Sequence, residues 1–547
     1  MTPADTLVVR DAWIGAVSIE SSTFNGSTIL FQSLQLGRSS FVVDAAWAIR
    51  DSALMNGATL SLIDTTVSNS SSTSITLAAV YWWSSTARSG STVSIVRCGF
   101  AAGPAAKGIL LSGSQGYDYV NSRLAHYKSD LFFDSSFALV NVSVFASSTG
   151  ALPASCVTAY QTYVVSGDTK EHWMHFVRST VELRNINCWT NSAVNPSSVD
   201  LYLKGGRASL TQISAHEVKV EHTAAAVVTT SGAMIARRLN FLGDATTSFT
   251  ALEPFTGADF VKIGGRQLEF PHLSVMNVTT MHVHKFGNPG LQWHDVVARS
   301  LVFTLESASL YLDGVVADSL SFVDCALPNA SATLAINNFT VKRFSLGGSV
   351  GSSFASGSIV RLSNGTVVDN SSASLHVGAM HFGKSTFTSR ASLLIAGCTI
   401  TSRLNTAIFF YDGLFSANAS LSIVDSAIST GGEHALLFAS TLSYQYVNYR
   451  HRRYHGRQLR SSATMLLRDL NISAPIDSYS APRYCMSTYR DFHDAASNDR
   501  VEEWGHLEGG SLELLRVNCT GESRAHVTFL SGTAVNLTGF YAIDRSF

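Results

Sequence analysis

The chain has 547 residues, and its 38 Lys and Arg are balanced by 39 Asp and Glu. Charged residues make up only 14% of the chain, against about 25% in an average soluble protein. Apolar residues make up 46%, and the chain contains 77 Ser and 44 Thr. The high apolar content and the net charge of -1 exclude a disordered chain, and the charge balance argues against a nucleic-acid binder that depends on overall basicity.

Residues 1–57 are predicted to form the β-rich start of a solenoid. They contain no basic region followed by an apolar stretch, so no secretory signal peptide is predicted. No uncharged apolar run of about 18 residues occurs anywhere in the chain. The sequence stops partway through a repeat, at TAVNLTGFYAIDRSF. We therefore expect a segment of a larger protein, in which any signal or membrane anchor lies outside these residues.

From residue 58 onward a phrase recurs: a small residue, alternating apolar positions, then Asn, Asp, Arg or Cys near a bend, then another apolar residue. Clear copies are ATLSLIDTTVS (58–68), STVSIVRCGFA (91–101), ASLLIAGCTIT (391–401) and ASLSIVDSAIS (419–429). Fourteen anchors between Leu60 and Leu512 give a mean spacing of about 35 residues, which is typical of a solenoid or a propeller.

Period-2 alternation within the phrase predicts strands instead of helices. A second short strand follows most anchors, as in KGILLSG (107–113) and ALLFAST (435–441). Short strands joined by bends stack coil upon coil, each pairing with the same strand of the next coil. The predicted fold is therefore a parallel β-helix.

This strand–turn–strand phrase resembles that of the right-handed parallel β-helix, or pectin-lyase-like, superfamily over residues 58 to 540. The resemblance implies an all-β, single-stranded right-handed parallel β-helix with long loop insertions. The dense Ser and Thr and the irregular coils are also similar to repeat regions of membrane-associated surface proteins of free-living kinetoplastid protists. A β-propeller is the competing all-β prediction, but no blade motif such as Trp-Asp recurs.

Interruptions of the phrase divide the chain. We predict β-helix coils over 58–442, a basic Tyr- and Arg-rich loop over 443–461, a coil over 462–475, a long insertion over 476–509 and truncated final coils over 510–547. The length alone predicts three or four domains of about 150 residues. The repeat predicts one continuous core of stacked units instead.

Aromatic residues are concentrated in three segments that interrupt the phrase, at 112–130, 160–176 and 440–462. Tyr and Trp provide flat amphipathic surfaces that suit sugar rings or protein partners, and five arginines between Arg450 and Arg460 could meet an anion. An alternative, that the loops only cover coil edges, stays open at this stage. The predicted ligand-binding residues are Tyr117, Tyr119, Trp173, Tyr446, Tyr449, Arg450, Arg452, Arg453, Tyr454 and Arg457.

The seven cysteines are an odd number, so at least one thiol cannot pair within the chain. Cys98, Cys188, Cys398 and Cys519 all follow the first strand of a coil, where we predict small apolar fillers facing the interior. The motif Asn-x-Ser/Thr occurs twelve times, which indicates either a glycosylated surface or a demand for Asn at bends. The candidate asparagines are Asn25, Asn69, Asn141, Asn277, Asn329, Asn338, Asn364, Asn370, Asn418, Asn471, Asn518 and Asn536.

Enzymes of the resembled superfamily imply further motifs: clustered carboxylates for Ca²⁺ beside an Arg base, or Asp pairs with Gly-His-Gly and Arg-x-Lys. None of these phrases occurs, and no catalytic residue, metal site or cofactor is predicted. We predict a non-enzymatic extracellular or cell-surface scaffold or adhesion protein that binds carbohydrate through its aromatic loops. Its partners would be glycans or surface proteins, with membrane contact only through segments outside this chain. The alternative is a polysaccharide-degrading β-helix lyase or glycoside hydrolase.

Overall fold

A computed structural model describes most of the chain. The described residues are 5–36, 43–68, 75–102, 107–121, 123–146, 155–190, 197–253, 255, 257–270, 278–330, 332–371, 378–441, 443–448, 450–460, 462–474, 483–494, 497–520, 524–527, 533–539 and 541–542. They form strands and no helix, so this part of the chain has no helix that spans a membrane. The described residues divide into two compact units, unit 1 over 5–279 and unit 2 over 280–542.

Each unit is an all-β parallel β-helix, in which a strand of one coil pairs in parallel with the equivalent strand of the next coil. The predicted fold class is therefore confirmed. In unit 1 the recurrent phrase forms the first stack of strands: Thr6–Arg10, Thr28–Gln32, Thr59–Ile63, Thr92–Val96, Ser136–Ala146, Thr180–Thr190, Arg207–Ser214, Val227–Ile235, Ser248–Ala251 and Gln267–Glu269.

Three further stacks complete the coils of unit 1. The second stack, after the bend, contains Trp13–Ile14, Gln35–Leu36, Thr66–Val67 and Gly99–Ala102. The third contains Val17–Glu20, Val43–Arg50, Ile75–Trp83, Lys107–Ser112, Ser155–Thr158, Ser198–Lys204, Glu217–Thr223, Arg238–Gly243 and Phe260–Gly265. The fourth contains Thr23–Asn25, Ala53–Met55 and Thr86–Arg88, and the C-terminal ends of Leu124–Phe133 and Asp168–Val177 join it.

Unit 2 repeats this arrangement. Its first stack contains Leu291–His294, Leu310–Asp313, Thr333–Asn337, Ile359–Ser363, Ser392–Ala396, Ser420–Val424, Thr464–Ser473, Ser511–Thr520 and Ala534–Thr538. The second contains Val297–Glu306, Val316–Val323, Thr340–Gly347, Thr366–Asp369, Thr399–Ser402, Ala427–Thr430 and Tyr541–Ala542. The third contains Met380–Gly383, Ile408–Tyr411, His434–Ala439, Tyr484–Ser487 and Arg524–His526, and the fourth contains Ala326–Leu327, Ser353–Phe354, Thr386–Phe387, Leu414–Phe415, His451–Leu459 and Asp499–Leu507. Strand Val278–Phe286 contains the division between the units.

The core consists of identical positions stacked from coil to coil. Leu393 and Ile395 pair with Leu421 and Ile423 of the next coil, and all four are buried. Aromatic side chains form columns in the same way, since the Phe382, Phe410 and Phe438 rings follow one another at 4.7 and 4.8 Å and are nearly parallel. Alternation along each strand directs these side chains inward and the intervening Ser and Thr outward, which is why Ser and Thr are so abundant.

The bend of each phrase requires a left-handed backbone. Asp64, Arg97, Asn141 and Asn185 have φ of 51–55° at successive coils of unit 1, a conformation that Asn and Asp adopt more readily than most residues. These bends also bind one another: Arg97 donates two hydrogen bonds to Asp64 at 2.6 and 2.8 Å, and Asn185 Nδ2 donates to Asn141 at 3.0 Å. Three of the predicted glycosylation asparagines, Asn141, Asn338 and Asn364, occupy such bends, and Asn418 has a left-handed backbone in the turn before strand Ser420–Val424.

Coil length varies widely around this constant register. Paired strands of the first stack begin 19 residues apart in the two shortest described coils, Ser248 to Gln267 and Leu291 to Leu310, and 47 residues apart in the longest, Thr464 to Ser511. Long coils contain insertions between the third and fourth stacks. These insertions lie in the aromatic-rich segments singled out in the sequence.

Candidate functional site

The aromatic-rich interruptions form antiparallel hairpins. In unit 1, Tyr117–Asn121 pairs with Leu124–Phe133, and Tyr160–Val165 pairs with Asp168–Val177. The two long strands, Leu124–Phe133 and Asp168–Val177, pair in parallel with each other. The result is a four-stranded sheet, which we call the first hairpin pair. The rigidity of its backbone pairing places its side chains in fixed positions.

Unit 2 contains a second hairpin pair with the same connectivity. Ser443–Asn448 pairs antiparallel with His451–Leu459, Tyr489–Asp494 pairs antiparallel with Asp499–Leu507, and the two long strands pair in parallel. The segments predicted as a basic loop (443–461) and a long insertion (476–509) thus contain these strands. The second segment also contributes a coil strand, Tyr484–Ser487, which pairs with His434–Ala439.

The two hairpin pairs also share a sequence pattern. Unit 1 reads YDYVNSRLAHY from Tyr117 to Tyr127, and unit 2 reads YQYVNYRHRRY from Tyr444 to Tyr454, so six positions are identical at the same spacing. The second hairpins begin with CVTAYQTY at Cys156 and CMSTYRDF at Cys485, and end with EHWMH and EEWGH. Trp173 is therefore equivalent to Trp504. The periodicity of the coil phrase conceals this longer repeat, which becomes visible only when the interruptions are aligned with each other.

Each hairpin pair lies on a coil strand that is apolar on both faces. All six residues of His434–Ala439 are buried, and five of the six in Lys107–Ser112 are buried. On the outer face of unit 1, Tyr81 and Leu110 form a buried cluster with Trp83 packed against it, and the Trp83 ring lies 5.5 Å from His172 of the hairpin pair. In unit 2 the equivalent cluster is Phe409, Leu437 and Ala439.

The side chains that face the coil strand, which we call the inner layer of a hairpin pair, are chemically different in the two units. In unit 1 the buried His172 stacks between Tyr127 and Tyr163, with ring centroids at 4.3 and 5.2 Å, and its Nδ1 lies 2.7 Å from the Gly113 carbonyl oxygen. Burial lowers the pKa of His172, so a neutral imidazole is favoured there.

In unit 2 the equivalent position holds Glu503, whose carboxylate accepts a 2.6 Å hydrogen bond from Arg490. Burial raises the pKa of Glu503. The Arg490 guanidinium lies 5.0 Å from the ring centroid of Phe409, which pairs with Leu437 of His434–Ala439, so a paired cation covers this apolar cluster. Equivalent apolar clusters are therefore covered by different residues in the two units.

Both units also contain one close contact between hairpin and coil, in which a glycine faces a serine. The glycine is on the coil side in unit 1 and on the hairpin side in unit 2. In unit 1, Gly113 faces Ser129, and a Cβ on Gly113 would lie 2.9 Å from Ser129 Cβ. At the equivalent positions in unit 2, Ser440 faces Gly456, where a Cβ would lie 1.7 Å from Ser440 Oγ. One partner must be glycine because two side chains do not fit.

The outer layer carries what we call the tryptophan face. Alternation directs Glu171, Trp173 and His175 to this side of the first hairpin pair, while His172 and Met174 point inward. The rings of Trp173 and Tyr160 lie 5.2 Å apart. Tyr160 Oη donates a 3.0 Å hydrogen bond to Glu171, so burial and this carboxylate raise the pKa of Tyr160 to about 12.

Charged groups flank the tryptophan on both sides along the strand. On one side His126 Nε2 lies 2.7 Å from a Glu171 oxygen. On the other, Asp130 lies 2.7 Å from Lys204 Nζ and 3.2 Å from His175 Nδ1. Burial and the Lys204 charge lower the pKa of His175 to about 4, so its imidazole is neutral at pH 7.

The second tryptophan face has the same order of groups. Trp504 lies 4.4 Å from the Tyr489 ring, and burial and the Asp491 carboxylate raise the pKa of Tyr489 to about 12. Glu502, two residues before the tryptophan, accepts a 2.6 Å hydrogen bond from Arg453. His506, two residues after it, lies 2.9 Å from His455. Burial lowers the pKa of both imidazoles.

The structure brings some of the predicted ligand-binding residues to these faces. Trp173 and Arg453 lie on them, and Arg457 pairs with Glu508 at 2.7 Å. Tyr117 is exposed and packs on Tyr127, and Arg452 pairs with Asp499. Arg450 is exposed and Tyr454 is half-buried on the same hairpin, whereas only the backbones of Tyr119 and Tyr446 are described and Tyr449 lies outside the described residues. Glu171, Tyr160, Tyr489 and Trp504 were not predicted, although the repeated EHWMH and EEWGH phrases mark the tryptophan and glutamate positions.

The basic segment is largely neutralised. Arg452, Arg453 and Arg457 each bind a carboxylate of the strand beside them or its flank, namely Asp499, Glu502 and Glu508. An anionic ligand would have to displace these carboxylates. The face is therefore better suited to an uncharged ligand with many hydroxyl groups.

A separate cavity of about 340 Å³ opens in unit 2. Its wall contains Ser345, Gly347, His381, Lys384 and Tyr411, and burial and the Arg490 charge lower the pKa of His381 to about 4. Among the described residues, no group of three or more His, Cys, Asp or Glu is arranged to hold a metal ion.

Comparisons with known proteins give no match: no protein-family model, no curated protein and no solved structure is significantly similar to this chain.

The exchanged glycine contact yields a direct test of the hairpin packing. We expect Gly456→Ser to lower the free energy of unfolding by about 1–3 kcal/mol in the native background, because two side chains then overlap. In a Ser440→Gly background the same substitution should cost much less, since it recreates the arrangement of unit 1. Urea denaturation of the four proteins gives the coupling energy of the pair.

The matched control is Gly99→Ser, because a Cβ at Gly99 meets nothing within 4 Å. A Gly456→Ser cost that is equal in both backgrounds would contradict the close approach.

Proposed function

We propose that the protein is a non-enzymatic extracellular or cell-surface β-solenoid that binds neutral carbohydrate at its two tryptophan faces. One observation carries the proposal: each unit presents a half-buried Trp beside a Tyr, with a Glu two residues before it and a His two residues after it, on a rigid sheet. The outer arrangement recurs in both units although the inner layer beneath it differs. This recurrence supports the same binding role for both faces.

The chemistry of the faces matches a sugar ring. An indole gives a flat apolar platform with limited conformational freedom. The neighbouring Glu171 and Asp130 supply acceptors for hydroxyl groups, and Lys128 supplies a donor from the same side of its strand. Burial favours the neutral imidazole of His175, His455 and His506. Asp130 is paired with Lys204, and Glu502 is paired with Arg453, so these charges offset one another. These features favour neutral glycans over anionic ones.

The test is binding of the full chain to an immobilised panel of neutral oligosaccharides, with heparin as the anionic comparison. We expect two equivalent sites in the native protein, one in Trp173→Ala and in Trp504→Ala, and at least a tenfold loss of affinity at each altered site, about 1.4 kcal/mol. The double variant should bind at neither site. Calorimetric stoichiometry measures these numbers.

Trp189→Ala is the matched control, because Trp189 is 52% exposed and packs on Phe145, and both residues lie on first-stack coil strands instead of the hairpins. It should bind like the native protein. Retained glycan binding in the double variant would refute the proposal, as would preferential binding to heparin. Release of reducing ends from bound oligosaccharide would instead favour the polysaccharide-degrading alternative.

We propose in addition that the protein carries N-linked glycans. Ten of the twelve candidate asparagines lie within the described residues, and all ten are exposed; Asn69 and Asn277 lie outside them. Bend geometry accounts for Asn141, Asn338, Asn364 and Asn418. It does not account for Asn471, Asn518 and Asn536, which lie within strands and do not have a left-handed backbone.

Two of these asparagines compete. Asn471 and Asn518 are paired in register on neighbouring strands, which places their backbones about 4.8 Å apart. In a glycosylating eukaryotic host we expect a glycan on only one of them per molecule, so Asn471→Gln should raise the occupancy of Asn518 measured by glycopeptide mass spectrometry. Asn418→Gln, at a bend in another coil, should leave it unchanged. Full occupancy of both asparagines would contradict the competition, and none at any site would contradict the proposed glycans.

A further inference from the structure

All seven cysteines are buried, and the structure gives them as thiols. Four of them form two contacting pairs. Cys188 is hydrogen-bonded to Cys156 in unit 1, and Cys519 is hydrogen-bonded to Cys485 in unit 2. Each of these residues is at most 4% exposed.

Strand register explains the first contact. Cys156 lies on the third-stack strand Ser155–Thr158, and its Sγ is 4.0 Å from the carbonyl oxygen of Val144. Val144 is the direct neighbour of Cys188 in the first stack of strands. The two thiols thus face each other across the interior of consecutive coils.

The second pair occupies the equivalent place. Cys485 begins the CMSTYRDF phrase as Cys156 begins CVTAYQTY, and Cys519 pairs with Ile472 as Cys188 pairs with Val144. In each pair the first cysteine lies in the coil that carries a tryptophan face, and the second lies on the first strand of the following coil. An accidental contact between fillers would not be expected at the same point of both units.

The other three cysteines are bonded differently. Cys98, Cys325 and Cys398 each direct the thiol to a main-chain carbonyl oxygen, with Sγ–O distances of 3.3, 3.6 and 3.4 Å. Cys98 and Cys398 are buried, as predicted for small interior fillers, and Cys325, for which no such prediction is made, is buried in the same way. The seven cysteines thus separate into two pairs and three single thiols.

We propose that Cys156 with Cys188, and Cys485 with Cys519, form one intrachain disulfide in each unit when the protein folds in an oxidising compartment. The oxidant is a disulfide, either of a small thiol such as glutathione or of a folding oxidoreductase. One cysteine thiolate attacks it, forming a mixed disulfide and releasing one thiol. The second cysteine then attacks the mixed disulfide and releases the other thiol, so that two protons and two electrons pass to the oxidant.

The order of events follows from burial. Burial and the hydrogen bond to Cys156 raise the pKa of Cys188, and the hydrogen bond to Cys485 and burial raise that of Cys519. A thiol is a poor nucleophile until it is deprotonated. The exchange must therefore occur before the coils close, and each disulfide, once formed, is shielded from reductant in the folded core.

The experiment uses the full chain, produced once through a eukaryotic secretory pathway and once in a reducing bacterial cytosol. Each sample is denatured, alkylated with N-ethylmaleimide without reductant, digested and analysed by mass spectrometry. In the secreted protein we expect alkylation only at Cys98, Cys325 and Cys398. The same sample should contain the cross-linked peptides Cys156–Cys188 and Cys485–Cys519, each about 2 Da lighter than the sum of its two reduced peptides. The cytosolic protein should be alkylated at all seven.

Two single variants sharpen the result. Cys188→Ser should leave Cys156 alkylated and abolish only the first cross-link, whereas the control Cys398→Ser should leave both. Reductant applied to the unfolded and refolded secreted protein should lower its Tm by at least about 5 °C, with no such fall for a variant in which all four paired cysteines are Ser. Alkylation of all seven cysteines in the secreted protein, or cross-links between other cysteines, would overturn the proposal. The native sequence alone gives this result, so the test does not depend on whether a variant folds.

Discussion

A parallel strand that is apolar on both faces must be covered on both faces. In these units the inner face of each coil strand is covered by the interior columns of Phe, Leu and Ile. The outer faces of Lys107–Ser112 and His434–Ala439 need a second cover. In unit 1, Leu110 and its partner Tyr81 on the neighbouring strand Ile75–Trp83 belong to one buried apolar cluster, and exposing it to water would remove burial that stabilises the coil. The hairpin pairs provide that cover, and the tryptophan faces are their solvent side.

This requirement explains why the inserted segments form regular sheets. A mobile loop could not exclude water from an apolar strand, whereas two hairpins joined through their long strands form a sheet that packs on it. Once one side of the sheet is buried, alternation leaves the other side free to carry Trp173 or Trp504 with its neighbours. The buried side of each hairpin sheet therefore fixes the sheet on the coil, and this fixes the positions of the residues on the tryptophan face.

Much of the fold was predictable from the sequence, and much of the site was not. The phrase of small, apolar and bend residues predicts the strand register because each coil repeats the same physical task. The hairpins were predicted as loops because their aromatic and charged residues show no coil phrase. Continuous apolar runs in KGILLS and HALLFA were the missed signal, since strands of a bare solenoid alternate. The sequence also could not reveal that Arg453 and Arg457 meet carboxylates about fifty residues later, because such pairs depend on the stacking of insertions.

The two units differ in the inner residues of their hairpin pairs and share the residues of their tryptophan faces. The inner pair is His172 with Tyr163 in one unit and Glu503 with Arg490 in the other, and the close contact exchanges its Gly and Ser. Trp, Tyr, Glu and His on the outer side remain, as do the two paired cysteines. The packing residues therefore differ between the units while the outer arrangement is the same, and the proposed function rests on this contrast.

The central claim, that the insertions are sheets packed on doubly apolar coil strands, is tested most directly by hydrogen–deuterium exchange of the full chain followed by mass spectrometry. Peptides from Leu124–Phe133, Asp168–Val177, His451–Leu459 and Asp499–Leu507 should exchange as slowly as the coil strands Lys107–Ser112 and His434–Ala439 that they cover. Exchange of the hairpin peptides within seconds, with the coil strands beneath them also losing protection, would contradict the account.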